Sequence, residues 1–409
     1  MDITLTPSRL SGTVRVPASK SLLHRGLFCA ALTGDLSLCA LPPDDEMSDD
    51  IRATLDCAKK LLSFFSNNGK HGNQENDSTL NFDCHESGTT LRLLLPILAA
   101  LEIPARITGS GRLPQRPLAD YAKSFTAPLT THSPLPTTHY SLPLQITNRL
   151  TPGAYRVRGD ISSQYISGLL MALPLLDGDS EIILTTPLES KPYVDMTLAV
   201  LAHFGIRADS TPDGWRIPKC QRYHSATPYT PEPDFSQAAF WHLAAHIGNA
   251  VAVSGNVIAS GAKQPSSTLQ GDAVFASLLD KPEADVSDCP DLLPALCGAA
   301  AFAPHTTLFT GASRLRLKES DRLESTRAML AAFGVESEIT SDTMTVHGAG
   351  SDFIPRSTTI DGANDHRIVM TAAILSTRAS GPVTILGADA VNKSYPRFFD
   401  DFNKLKVES

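Results

Sequence analysis

A chain of 409 residues is too long for one ordinary core and suits two domains of roughly 200 residues each. Hydrophobic residues make up 42% of it and charged residues 19%, which excludes general disorder and indicates a globular interior. With 35 basic against 43 acidic residues the net charge is −8, which disfavours non-specific binding to nucleic acid or an anionic membrane but leaves room for a local basic pocket.

The opening Met1-Asp2-Ile3-Thr4-Leu5-Thr6 has no basic stretch followed by an apolar run, so no presequence is expected and the cytoplasm is the expected compartment. No stretch approaches the ~18 consecutive apolar residues that span a bilayer. From there one pattern recurs six times: a short extended piece, a small or polar turn, then an apolar helix rich in small residues. The instances begin near Val14 (VRVPASKSLLHRGLFCAAL), Leu80 (LNFDCHESGTTLRLLLPILAA), Tyr155 (YRVRGDISSQYISGLLMALPLL), Thr227 (TPYTPEPDFSQAAFWHLAAHI), Ala284 (ADVSDCPDLLPALCGAAAFA) and Thr359 (TIDGANDHRIVMTAAIL). Their spacing averages about 70 residues, the length of a strand–helix–strand–helix–strand unit. A second, amphipathic helix is expected in each, as in SDDIRATLDCAKKLL, RPLADYAKSFTA, KPYVDMTLAVLAHFG, QGDAVFASLLD, KESDRLESTRAMLAAFG and SYPRFFDDFNKL. Six units fit an α/β protein of two domains with three units each.

The first helix of every unit is nearly all apolar, so it should be buried on most sides. Its polar residues gather at its start, where Ser19, Ser87, Ser162, Asp234, Asp291 and Asp365 are candidate caps. A helix start also carries unpaired N–H groups and the positive end of the macrodipole, which attract anions. The segments 66–79 and 126–140 read as polar surface excursions. Three prolines near 225–233 mark a domain crossover.

The seven cysteines (29, 39, 57, 84, 220, 289, 297) are odd in number, scattered and without C-x-x-C pairing, so neither a disulfide framework nor a zinc site is expected. No H-E-x-x-H, P-loop or G-x-S-x-G motif occurs, and GSGRLP (109–114) lacks dinucleotide-site spacing. No metal or other cofactor is expected. Basic residues sit inside the repeat motifs despite the acidic total: Lys20, Arg25, Arg92, Arg116, Lys318, Arg322, Arg367 and Lys393. Ser21 and Arg25, four residues apart, share a helical face beside Lys20.

Nine motifs in chain order, PASKSLLHR (17–25), SGTTLR (87–92), LPQRP (113–117), GDISSQYISGLLMALPLL (159–176), SKPYVDMT (190–197), PDL (290–292), LKESDR (317–322), NDHR (364–367) and NKSYPRFF (392–399), resemble the 5-enolpyruvylshikimate-3-phosphate synthase family of enolpyruvyl transferases. The resemblance implies the two-domain enolpyruvyl transferase fold, an inside-out α/β barrel of three βαβαββ units per domain. It assigns 1–18 with 228–409 to one domain and 19–227 to an inserted one, with crossovers near 18–20 and 225–233. It also implies an active site between the domains and a monomeric enzyme.

The activity implied is transfer of the enolpyruvyl group of phosphoenolpyruvate to the 5-hydroxyl of shikimate 3-phosphate, by addition and then elimination of phosphate. Two phosphates and two carboxylates require clustered cations. By the same resemblance Lys20, Ser21, Arg25, Ser162, Ser163, Gln164, Ser190, Tyr193, Asp291 and Lys318 bind shikimate 3-phosphate. Lys20, Gly88, Arg116, Gln164, Arg322, Arg367 and Lys393 bind phosphoenolpyruvate. Lys20, Asp291 and Glu319 are the catalytic residues, with Asp291 taking the hydroxyl proton and Glu319 exchanging a proton with C3. Glu86 stands where many family members carry Asn, and a carboxylate there would add negative charge beside a phosphate-binding turn. The related transferases acting on UDP-N-acetylglucosamine usually open with Ala-Lys-Asn and carry a reactive loop cysteine, whereas Ser19-Lys20-Ser21 opens this chain.

Overall fold

Short strands alternate with apolar helices throughout the residues that the computed structural model describes: 1–68, 79–116, 118, 130–131, 142–146, 149–254 and 268–407. They divide into two units. Lys20–Leu41 with Asp49–Glu232 form one; Met1–Ser19, Pro42–Ser48 and Pro233–Ser409 form the other. The short return of Pro42–Ser48 to the unit that holds both termini has no signal in the repeats.

In the first of these units three helices are buried: α1 (Lys20–Thr33), α2 (Gly88–Ala100) and α3 (Ser163–Ala172). Every residue of α2 from Thr90 to Ala99 is buried, as an all-apolar helix demands, and α2 packs along α3. The amphipathic helices 49–68 and 191–203 cover α1 on their apolar sides. Two four-stranded sheets follow one plan. Strand 80–83 pairs in parallel with 105–108 across α2, and 154–157 with 180–184 across α3. Antiparallel strands 144–146 and 130–131 extend one sheet, and 214–217 and 209–211 the other.

In the second unit the buried helices are α4 (Phe235–His246), α5 (Leu293–Ala300) and α6 (His366–Ser376). Parallel pairs again flank the helices: 283–285 with 306–310 across α5, and 359–361 with 383–386 across α6. The N-terminal strand 3–5 adds antiparallel to 383–386, with Ile3 opposite Ile385.

The repeat at each crossover is completed by exchange. Strand 11–15, which leads in sequence into α1, pairs in parallel with 250–254, the strand after α4. Conversely Tyr229, just before α4, bridges Cys39, just after α1. Each helix is therefore flanked by a strand taken from the other's sequence neighbourhood.

Four of the six expected caps form. Ser87 and Ser162 accept from Thr90 N and Gln164 N, and Asp234 and Asp365 from Gln237 N and Arg367 N. Ser19 Oγ has no hydrogen-bond partner among the described residues, and Asp291 lies inside a 3₁₀ turn, Pro290–Leu292, with its carboxylate engaged elsewhere. QGDAVFASLLD yields a 3₁₀ turn and only one α-turn, Phe275–Leu278, because Pro282 follows closely and disfavours helix before it. The C-terminal amphipathic helix shortens to Phe398–Leu405, beginning beyond Pro396, and its Phe398 ring packs 5.3 Å from Trp241. Most of the two surface excursions, and the expected helix at 116–127, lie outside the described residues. No helix among the described residues is long and apolar enough to cross a membrane.

Leu169 is fully buried in α3 where that helix packs on α2. Leu169→Ala should cost about 2–5 kcal/mol, read as a lower urea midpoint at unchanged m-value. A loss within 0.5 kcal/mol would contradict the buried-helix arrangement.

Candidate active site

The unit built on α1 to α3 gathers two constellations. Lys20 is the first residue of α1, and its Nζ donates to Asp50 Oδ2 at 2.7 Å from the neighbouring helix. One turn on, Arg25 is 2% exposed and its guanidinium is held by neutral groups: Nε donates to Thr197 Oγ1 at 2.7 Å, Nη1 to the Ser21 carbonyl at 2.6 Å, and Nη2 to the Tyr193 carbonyl at 3.0 Å. Burial lowers its pKa to about 10, which keeps it charged at neutral pH. Arg25 thus ties Ser21 to Tyr193. Beside it, Ser190 is buried in a left-handed conformation (φ 54°) just before helix 191–203, a strained position for a side chain other than glycine.

The second constellation surrounds Gly88. A Cβ there would lie 2.5 Å from Arg116 Nη1 and 2.8 Å from Arg92 Nη1, so only glycine lets both guanidinium groups approach the start of α2. Gln164, in the first turn of α3, accepts from Arg92 Nη1 at 2.8 Å and donates to Thr89 Oγ1 at 2.7 Å. Two helix starts and two guanidinium groups therefore meet at the Gly88 turn, an arrangement suited to an anion. Ser162 and Ser163 stand at the start of α3, the first as its cap. Glu86 places its carboxylate over Gly111, where a Cβ would lie 2.4 Å from its carboxyl carbon.

The unit built on α4 to α6 organises its charges around Arg322, 1% exposed at the start of helix 322–333. Its Nε donates to Asp365 Oδ2 at 2.9 Å, Nη1 to Asp291 Oδ1 at 2.9 Å and Nη2 to Glu319 Oε2 at 2.5 Å. Asp291 also accepts from Arg367 Nη2 at 2.8 Å and from Lys318 Nζ at 3.2 Å. Burial pushes the Asp291 carboxyl up, but Arg367, Lys318 and Arg322 more than reverse this and hold it well below the usual carboxylate range. Lys393 is buried and donates to the Asn364 carbonyl at 2.8 Å, where Ala363 and Asn364 both have positive φ.

Asp291, Lys318, Glu319, Arg322 and Arg367 are thus one connected network. Lys20, Ser21, Arg25 and Tyr193 form a second group, and Gly88, Arg116 and Gln164 a third. Several partners escape sequence reasoning: Asp50, Thr197 and the buried Asp272. Asp272 bonds Ser236, and its carboxyl is raised to about 6 by burial first and by the Asp291 charge second, against Arg367. Only tertiary structure brings these partners in, since Thr197 lies 172 positions from Arg25. Arg314 donates to the Ser287 carbonyl.

Solved structures share this architecture. EPSP synthase from Acinetobacter baumannii aligns with TM-score 0.72 at 22% identity, over 99% of this chain and 98% of that one. The enolpyruvyl transferase NikO from Streptomyces tendae aligns with TM-score 0.68 at 17% identity, over 99% and 97%. The fold is therefore that of the enolpyruvyl transferases. Curated relatives named 3-phosphoshikimate 1-carboxyvinyltransferase include those of Clostridium kluyveri, 35% identical over 99% of this chain and 97% of the relative, and Clostridium acetobutylicum, 36% identical over 98% and 97%. Residues 5–402 match the family model of EPSP synthase (3-phosphoshikimate 1-carboxyvinyltransferase), and the chain belongs to that family.

A carboxyl with a raised folded-state pKa resists ionisation that the unfolded chain undergoes freely, so its contribution to stability is lost as pH rises. Wild type should therefore lose stability relative to Asp272→Asn between about pH 4 and about pH 6, and no further above that range. Urea titrations across the range test this; parallel curves would contradict it.

Proposed function

We propose that residues of both units serve one reaction. The reaction is that of the family: the enolpyruvyl (1-carboxyvinyl) group of phosphoenolpyruvate passes to the 5-hydroxyl of shikimate 3-phosphate with release of phosphate, a step of the shikimate pathway. The hydroxyl oxygen bonds to C2 of phosphoenolpyruvate as C3 gains a proton, giving a tetrahedral intermediate. Loss of phosphate from C2 and of a proton from C3 then restores the double bond.

On this reading Ser21, Arg25, Ser190 and Tyr193 hold the shikimate part, Ser162 and Ser163 its phosphate, and Gln164 contacts both substrates. The Gly88 turn with Arg116, and Arg322, Arg367 and Lys393, receive phosphoenolpyruvate. Lys20 contacts both substrates and transfers a proton, and Lys318 supports the shikimate side. The observation that carries the assignment is the Asp291–Arg322–Glu319 network, in which these two carboxylates and Asp365 share one buried guanidinium.

Asp291 is the base for the hydroxyl, and Glu319 exchanges the C3 proton. In the ligand-free network Asp291 is a weak base because three cations surround it. Once substrate anions draw on Arg322, Arg367 and Lys318, that field weakens and its proton affinity rises. Seven unpaired cysteines, six of them buried, support a reducing compartment and the cytoplasm as the location. We further propose that the enzyme acts as a monomer.

Phosphate release from phosphoenolpyruvate that depends on shikimate 3-phosphate is the direct assay. Asp291→Asn and Glu319→Gln should each lower turnover about 10²–10⁴-fold with circular dichroism unchanged. Wild-type turnover in both would remove the acid–base scheme. Gly88→Ala forces Arg116 away and should raise KM for phosphoenolpyruvate about tenfold, the scale of one weakened charge-assisted bond, without changing shikimate 3-phosphate affinity.

A further inference from the structure

Behind the Gly88 turn runs a chain of four buried polar side chains that the proposed mechanism does not use. His24 Nδ1 lies 2.6 Å from Thr54 Oγ1, Thr54 Oγ1 lies 2.6 Å from Thr90 Oγ1, and Thr90 Oγ1 donates to Ser87 Oγ at 2.7 Å. All four residues are at most 1% exposed. They come from three elements: His24 from α1, Thr54 from helix 49–68, and Ser87 with Thr90 from the start of α2.

Each hydroxyl has a single proton to give, which sets the direction of the chain. Thr90 gives its proton to Ser87, so the short contact between Thr90 and Thr54 needs the Thr54 proton. The Asp50 carbonyl, at 3.2 Å from Thr54 Oγ1, is then a weaker, shared acceptor. Thr54 must in turn accept from His24, which requires the proton on Nδ1. His24 Nε2, left as a bare lone pair, has no partner among the described residues. Burial, with Lys20 and Arg25 nearby, holds the imidazole neutral, consistent with one ring proton.

The ends of the chain lie at functional positions. His24 is one helical turn beyond Lys20, and Thr54 is one turn beyond Asp50, the partner of Lys20. Ser87 caps α2 immediately before Gly88. Within the same turn Thr89 accepts from Gln164, whose side-chain oxygen in turn accepts from Arg92. The turn is thus held by two sets of bonds, and one set runs back to the helices that present Lys20 and Asp50.

We infer that His24, Thr54 and Thr90 are positioning residues, a one-way hydrogen-bond relay that fixes the Ser87–Gly88 turn relative to the Lys20–Asp50 pair and so sets the fit of the anion of phosphoenolpyruvate. An apolar core at these three positions would pack the same elements, but it would not fix the rotation of the cap. The ligand assignment rests on the reading of Gly88 given above; the relay itself does not.

Two measurements test it. A long-range ¹H–¹⁵N spectrum of the full-length protein should show His24 protonated on Nδ1 alone; a proton on Nε2, or on both nitrogens at neutral pH, overturns the relay. Thr54→Val keeps the shape but deletes the hydroxyl, and should raise KM for phosphoenolpyruvate about tenfold, the scale of one buried hydrogen bond, with calorimetric affinity for shikimate 3-phosphate unchanged. Thr54→Ser should restore KM to within about threefold, and Thr54→Val with Thr90→Val should cost little more than either alone. Packing alone predicts a lower Tm with unchanged KM, or additive losses, and either result rejects the positioning role. If the spectrum shows the Nδ1 proton but Gly88→Ala leaves KM for phosphoenolpyruvate unchanged, the ligand assignment fails and the relay stands.

Discussion

The first turn of a buried helix carries N–H groups with no partner inside the helix, and the groups that satisfy them set the charge of the surroundings. In the unit of α1 to α3 the caps that form are serines, Ser87 and Ser162. Serine satisfies a donor without adding charge, so the helix start stays positive. The guanidinium of Arg25 donates to hydroxyl and carbonyl oxygens rather than to carboxylates. In the unit of α4 to α6 the caps are Asp234 and Asp365. There the field is cancelled locally, and Arg322 is bracketed by carboxylates.

That difference separates two kinds of chemistry on one repeated plan. A neutral-capped helix start is suited to holding phosphate and carboxylate. A network in which Asp291 and Glu319 share Arg322 is suited to shifting proton affinity as charge enters or leaves. Asp272 extends the second network inward, where burial and the Asp291 charge raise its carboxyl to about 6.

The sequence made the repeated strand–helix plan legible because the buried helices are apolar on nearly all sides and begin at polar turns. It made candidate residues legible where they sit inside motifs, as with Lys20, Gly88 and Arg322. What could not be read is what each one touches. Asp50 looks like any first-turn acid, Thr197 like a helix-interior residue, and Thr54 and Thr90 like two threonines in unrelated helices; only packing makes them partners. Ser19 and Asp291 show the limit of cap reasoning, since a residue at a helix start can leave its hydroxyl unpaired or have its carboxylate claimed by distant arginines. Pro282 and Pro396 are visible as letters, but how far each shortens a helix depends on what the flanking chain packs against.

The exchange of strands at the crossovers has a consequence for synthesis. As the chain leaves the ribosome, strand 11–15 has no ladder to join until 250–254 has emerged, and strand 3–5 waits for 383–386. Residues Lys20–Glu232, by contrast, contain all of their own unit before Pro233–Ser409 exists. Strands 3–5 and 11–15 are thus made long before their partners and remain unpaired edges in the interval.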